Sequence, residues 1–145
     1  MDTNIKLSEK LAILATLNPA SVAPSTVLTS WVLANNFHSI LAVLQAGVLG
    51  SSATLNASLQ QAQDSSGTNA KAVGAHAITA ITSNNVQALL ECRTDELDSA
   101  NGFIYVALSV TVGVAASLIG ATLIGGNPRS FSSAGLDQAG VVQIV

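Results

Sequence analysis

Charge is what this 145-residue sequence has least of. Only 9% of its residues are Asp, Glu, Lys or Arg, five basic and eight acidic, giving a net charge of −3. Ordinary globular domains carry about a quarter. Five scattered bases make no basic stripe, which argues against a nucleic-acid partner. One cysteine, Cys92, excludes an intrachain disulfide. Three Phe, one Tyr and one Trp are too few aromatics for a carbohydrate-cleaving cleft lined with stacking platforms. No nucleophile elbow, phosphate-binding loop or dinucleotide fingerprint occurs. The opening MDTNIKLSEKLAILATLNPA mixes acids and bases and has no long apolar run after a basic start. The expectation is a protein made and used without secretion.

Apolar residues are plentiful, at 49%, with a mean hydropathy of +0.51. So little charge implies that much of the surface is hidden against other subunits, a lattice or lipid. The stretch FIYVALSVTVGVAASLIGATLIGG, 103–126, has no charged side chain. As a helix it would rise roughly 36 Å, enough to cross a bilayer core. Its order favours strands instead. Ile104, Val106, Leu108, Val110, Val112 and Val114 stand at every second position, separated by Tyr105, Ala107, Ser109, Thr111 and Gly113. Period two places the large set on one face of an extended chain, and β-branched valines suit strands. The flanks, Asp95, Glu96 and Asp98 before and Arg129 after, lack the look of membrane anchors. The spacing predicts a β-hairpin turning at Ala115-Ala116-Ser117.

The same reading continues along the chain. Leu11, Ile13, Ala15 and Leu17 fit a strand, while Leu7, Leu11 and Leu14 fit a helical face, so residues 1–26 are an N-terminal arm or edge strand ended by Pro19 and Pro24. Val27, Thr29, Trp31 and Leu33 alternate. Phe37–Ala46 is apolar on both faces and reads as a central strand, with a buried helix as the competing reading. Ala53–Gln61 alternates as a half-exposed strand. Asp64-Ser65-Ser66-Gly67 is a turn. Thr68–His76 is expected to be irregular, Ile78–Thr82 a short strand, and Val86, Ala88, Leu90 and Cys92 the inward face of the next. Thr94 caps a helical turn carrying Asp95 and Glu96. Residues 130–145 form a C-terminal arm ending in Val141, Val142, Ile144 and Val145. About eight strands separated by turns predict an all-β chain: an antiparallel β-sandwich, jelly-roll-like, over 27–129, with extended arms at both ends.

Chemistry is sparse. His38 and His76 have no metal-ligand spacing, and His38 among apolar neighbours reads as a packed or interfacial imidazole. Cys92 on an inward strand face reads as an inert thiol. Glu91, Asp95, Glu96 and Asp98 are the one dense acidic group; calcium ligation is conceivable, and a solvated loop is the plainer reading. No catalytic, cofactor or metal residue is assigned, and no enzyme activity or small-molecule substrate. Candidate interface residues are Leu11, Ile13, Trp31, Phe37, Val142 and Ile144: exposed-edge apolar positions and the aromatics able to anchor a contact.

Two stretches, SLQQAQDSSGTNAKAVGAHAITAI (58–81) and NNVQALLECRTDELDSANGFIYVALSVTVGVAASLIGATLIGGNPR (84–129), resemble the head decoration, or cement, proteins of tailed bacteriophages. The shared features are a strand and turn around LQQA, a strand ending before ELD, the aromatic-led GFIYVALSVTVG and the return strand ASLIGATLIGG. The resemblance spans about half the chain and has no active-site signature. It implies a β-sandwich forming homodimers or homotrimers, made in the host cytoplasm, that binds the outer capsid surface and bridges neighbouring copies of the major capsid protein. Other phage sandwiches (tail, baseplate or carbohydrate-binding modules) remain the alternative, and a membrane protein built on 103–126 the more distant one.

Overall fold

Period-two alternation runs through most of the chain, and nearly every alternating stretch is a strand. The computed structural model describes residues 4–130 and 132–145. It contains β1 (Leu11–Val22), β2 (Ser25–Leu28), β3 (Val32–Leu33), β4 (Phe37–Leu49), β5 (Thr54–Ala62), β6 (Lys71–Ala77), β7 (Gln87–Arg93), β8 (Tyr105–Gly113) and β9 (Ser117–Pro128). The first sheet has the order β1-β9-β4-β7 and the second β2-β8-β5-β6, with β3 also paired to β8. All pairings are antiparallel. Because β2 and β3 share one place beside β8, nine strands fill eight positions, four per sheet. The chain passes back and forth between the sheets, which makes this a jelly roll.

The core lies between the sheets. Val106, Leu108, Val110 and Val112 of β8 face inward with Leu55 and Leu59 of β5; Ile40, Ala42 and Leu44 of β4 and Leu123 of β9 come from the other layer. Each side chain of this set is hidden from water, which is what the alternation requires. As expected, β4 is central, with β9 on one side and β7 on the other.

Several expectations need correction. The 103–126 stretch is two strands, but they are not a hairpin. β8 pairs with β2, β3 and β5, and β9 with β1 and β4, in opposite sheets. Burying a strand's large side chains against a paired neighbour or across a sandwich leaves the same sequence pattern, so alternation alone does not choose between them. The crossing is tight: Ala115 N donates to Gly113 O at 2.9 Å, and Val114 has φ 71°. Gly50 lies beside it, where a Cβ would come within 2.6 Å of Ala115 Cβ.

The Val27–Leu33 strand is interrupted. Buried Thr29 leaves the ladder to grip β8, its N–H donating to Leu108 O and its Oγ1 accepting from Leu108 N–H, both at 3.0 Å. Thr68–His76 is not irregular, since most of it is β6. Its alternation is masked because Ala and Gly surround the one buried side chain, Val73. Ile78–Thr82 makes only an isolated bridge between Ile81 and Leu55. Finally, Thr94 is not a cap. It is the first residue of a 3-10 turn, Thr94–Glu96, whose N-cap position is Arg93, with the Arg93 N–H donating to Glu96 Oε2 at 2.6 Å.

Residues 11–22 take the strand alternative, as the edge of the first sheet. The segment after Pro128 returns along that edge. Ser133 N donates to Glu9 O at 2.9 Å and its Oγ to Leu11 O at 2.9 Å; Gln138 N donates to Ile13 O at 2.7 Å. Ile13 N donates to Asp137 Oδ1 at 2.7 Å. These bonds occupy edge groups of β1 that another strand would otherwise find open.

Candidate interaction surfaces

Among the described residues, charge gathers toward one pole of the sandwich. Strand register brings Val22, Leu49 and Ser117 together at the opposite pole, with Ser25, Thr54 and Gly113 beside them. The loops there, 23–24, 50–53, 78–86 and 114–116, contain no Asp, Glu, Lys or Arg. Val114 in these loops is an exposed apolar side chain, as is Val48 near the adjoining end of β4. The connections at the other pole, 63–70 and 94–104, hold Asp64, Asp95, Glu96 and Asp98, with Lys71, Arg93 and Arg129 nearby.

The outward sheet faces follow the same rule. On the second sheet, Thr26, Thr111 and Asn56 form one cross-strand row and Leu28, Ser109 and Ser58 the next. The hydroxyls of Thr26 and Thr111 are 2.8 Å apart. On the first sheet, Ile13, Ile124 and Leu41 align in one row, and Thr122, Val43 and Leu89 in the next. Leu89 is 65% exposed. Among the described strand residues, Glu91, which continues the first row opposite Leu41, and Arg93 add charge to that face. The sequence makes Phe37–Ala46 apolar on both faces, and Leu41 and Val43 stand on the outward one. The sequence reading missed Leu89, Ile124 and Leu118 as their neighbours, because register is a property of the sheet and not of any strand.

At the charged pole the carboxylates are answered by protein groups. Lys71 Nζ donates to Asp98 Oδ2 at 2.5 Å and lies 3.9 Å from the centroid of the Phe103 ring. Lys71, then Asn101, holds the Asp98 carboxyl below its ordinary value. Arg93 donates to Asp95 through both Nε and Nη2, and its backbone N–H to Glu96 Oε2 at 2.6 Å. His76 Nε2 is 3.3 Å from Glu96 Oε1, linking β6 to the turn after β7. Arg129 Nη2 donates to Thr94 Oγ1 at 2.7 Å, and that hydroxyl donates to Phe37 O at 3.0 Å. Among the described residues, no three His, Cys, Asp or Glu side chains are placed to hold a metal ion. Asp95, Glu96 and Asp98 of the acidic group thus have protein partners in the turns after β7, while Glu91 lies on β7 itself.

Burial, with a smaller push from Glu96, raises the Cys92 thiol to about 12, so it is neutral and unreactive at ordinary pH. His38 is exposed, not packed, because its backbone sits at the very start of β4. Among the described residues no helix is long and apolar enough to cross a membrane.

The six candidate interface residues do not form one patch. Leu11 and Ile13 are half-buried on the outer face of β1. Trp31 is half-buried against the 64–67 turn, where a Cβ on Gly67 would come within 2.5 Å of its Nε1. Phe37 is a correction. It is 1% exposed, held in the core against Gly125, and leaves no surface for a partner. Val142 and Ile144 are 87% and 61% exposed and belong to no strand.

No protein-family profile and no curated protein matches this sequence. Solved structures do. The chain is similar to one in the structure of the infectious bursal disease virus Gt strain, at 12% identity and TM-score 0.52, over 92% of this chain and 37% of that one. The antiparallel sandwich is a fold this chain shares with that viral structure. Similarity extends to the cowpea mosaic virus top component of naturally occurring empty particles (9% identity, 89% of this chain, 90% of that one, TM-score 0.48). It extends also to the CBM22-2 xylan-binding domain of Paenibacillus barcinonensis Xyn10C (12% identity, 81% and 98%, TM-score 0.42). At such identities the likeness is one of fold, and the bursal disease virus match is the one that carries it.

Proposed function

We propose that this chain is a structural virion protein, and specifically a decoration or cement protein on the outside of a phage head, bridging copies of the major capsid protein. The observation behind this reading is the surface. A jelly roll whose uncharged pole, uncharged second-sheet face and apolar first-sheet face all point outward is built to lie against other protein. On an isolated domain such uncharged and apolar surface promotes association. In a lattice the same surface is covered at many identical sites, and weak contacts add up. Binding that exists only on the assembled shell stabilises that shell by mass action.

At the charged pole Asp98 pairs with Lys71 and Asp95 with Arg93, which leaves the uncharged surfaces as the ones free to meet other protein. Leu11, Ile13, Val142 and Ile144 remain proposed contact residues, with Trp31 as a secondary one. The decisive experiment is an image reconstruction of purified particles combined with protein mass spectrometry of the same sample. Density for this sandwich on the outer shell, at stoichiometric copy number, is the expected result. Its absence from purified particles overturns the proposal.

A further inference from the structure

The outer face of the first sheet contains a groove. Two adjoining hollows, about 410 and 260 Å3, share Pro19, Gln45 and Gly120. Gly47 and Gly120, on the neighbouring strands β4 and β9, have no side chain to fill it. Leu118 walls one hollow, and Val43 and Ile124 the other. None of the residues lining either hollow is charged. The groove follows β9 from Ile124 to Leu118, a run of roughly 20 Å at strand rise.

The chain also carries a segment with no cover. Val142, Ile144 and Val145 are all well exposed, and 141–145 has no charged side chain. Its root is fixed beside the groove. Gln138 N donates to Ile13 O at 2.7 Å, and Gln138 Nε2 donates to Thr16 Oγ1 at 3.3 Å; Thr16 lines the smaller hollow. Val141 N then donates to Gln138 O at 3.0 Å, a turn after which Val142, Ile144 and Val145 stand exposed and line neither hollow.

We propose that residues 141–145 of one copy dock in this groove on a second copy. In an extended segment Val142 and Ile144 project from the same face about 7 Å apart. That is also the spacing of alternate residues along β9, on which the two hollows are centred. Neither surface carries a charged side chain, and the groove sets apolar walls beside Gln45, Gln87 and Thr122, so docking buries the valine and isoleucine side chains without stranding a charged one. Exchange of identical segments between copies is a low-cost route to association. The proposal concerns contact of the chain with itself and stands apart from the virion reading, since either holds without the other.

The test uses the purified full chain and two variants, each first checked for an unchanged melting transition. One lacks residues 141–145. The other carries Thr122→Arg, which places a long charged side chain on the groove floor at a half-buried outward position. Sedimentation at micromolar to hundred-micromolar concentration reads the assembly state. The expected result is that the full chain self-associates, with a dissociation constant at least tenfold weaker in each variant alone. Mixing the two variants restores association, because one supplies the tail and the other the groove. Should Thr122→Arg disturb the melting transition, Gln45→Arg reads the same groove from β4. A monomeric full chain, undiminished association without the tail, or no rescue on mixing each overturns the proposal; the last includes the case of a tail folded into its own groove.

Discussion

Substituting Val110 and its neighbour Thr111 separates a buried face from a solvated one within a single strand. Val110 is 0% exposed, opposite Val27 on β2 and Ala57 on β5. Val110→Ala removes two methyl groups, about 0.8 kcal/mol each in transfer, and leaves a small cavity; the sum is about 2–3 kcal/mol. For a domain of this size that lowers Tm by about 5–10 °C. Val110→Asp goes further. An unpaired carboxylate in this core costs several kcal/mol out of a total stability of roughly 5–15, so the folded population should collapse. Thr111 is exposed, and its hydroxyl meets only that of Thr26 across the strand pair. Losing that surface hydrogen bond costs about 1 kcal/mol or less, so Thr111→Asp should shift Tm by under about 4 °C. Urea titration with thermal melting, on samples shown by sedimentation to be monomeric, measures all three. Equal damage from Val110→Asp and Thr111→Asp in such samples would refute the assignment of faces on which the fold argument stands.

Three further outcomes follow from local geometry. Val114, a β-branched residue at φ 71° and exposed, is strained, and Val114→Asn should raise stability by about 1 kcal/mol, read as a higher urea midpoint. Gly67→Ala forces a Cβ into both a left-handed backbone and the Trp31 ring. It should cost about 2–4 kcal/mol and red-shift the emission of this single tryptophan; unchanged emission would count against the packing. Thr68, through its hydroxyl first and then its amide, holds the Asp64 carboxyl below 3.8, and Arg93 and Lys71 do the same for Asp95 and Asp98. A depressed folded value means stability present above about pH 4 and lost as pH falls through the lower folded values, so Tm should be flat from pH 7 to 5 and decline below 4. Asp64→Asn should flatten that acid decline.

Local pattern made the strand class, the β4 and β5 faces and the Asp64–Gly67 turn readable, because each depends on residues close together in the chain. Asp64 accepts from Ser66 N and Thr68 N at 2.9 and 3.0 Å, and Gly67 has φ 81°, both consequences of residue type alone. β6 was illegible because Ala and Gly give almost no contrast between its faces. The interruption at Thr29 was equally hidden, since its hydroxyl looks like any outward polar residue until Leu108 stands opposite.

The sequence by itself determined that this chain is a stack of strands with an apolar interior and very little charge, because side-chain alternation and composition are set residue by residue. Only the tertiary structure decided that β8 and β9 lie in opposite sheets. The same holds for the gathering of every described charged residue toward one pole or the chain ends, and for the alignment of Ile13, Ile124 and Leu41 into one outward row. These are facts of register and crossing between segments that can lie more than a hundred residues apart, and no local period encodes them.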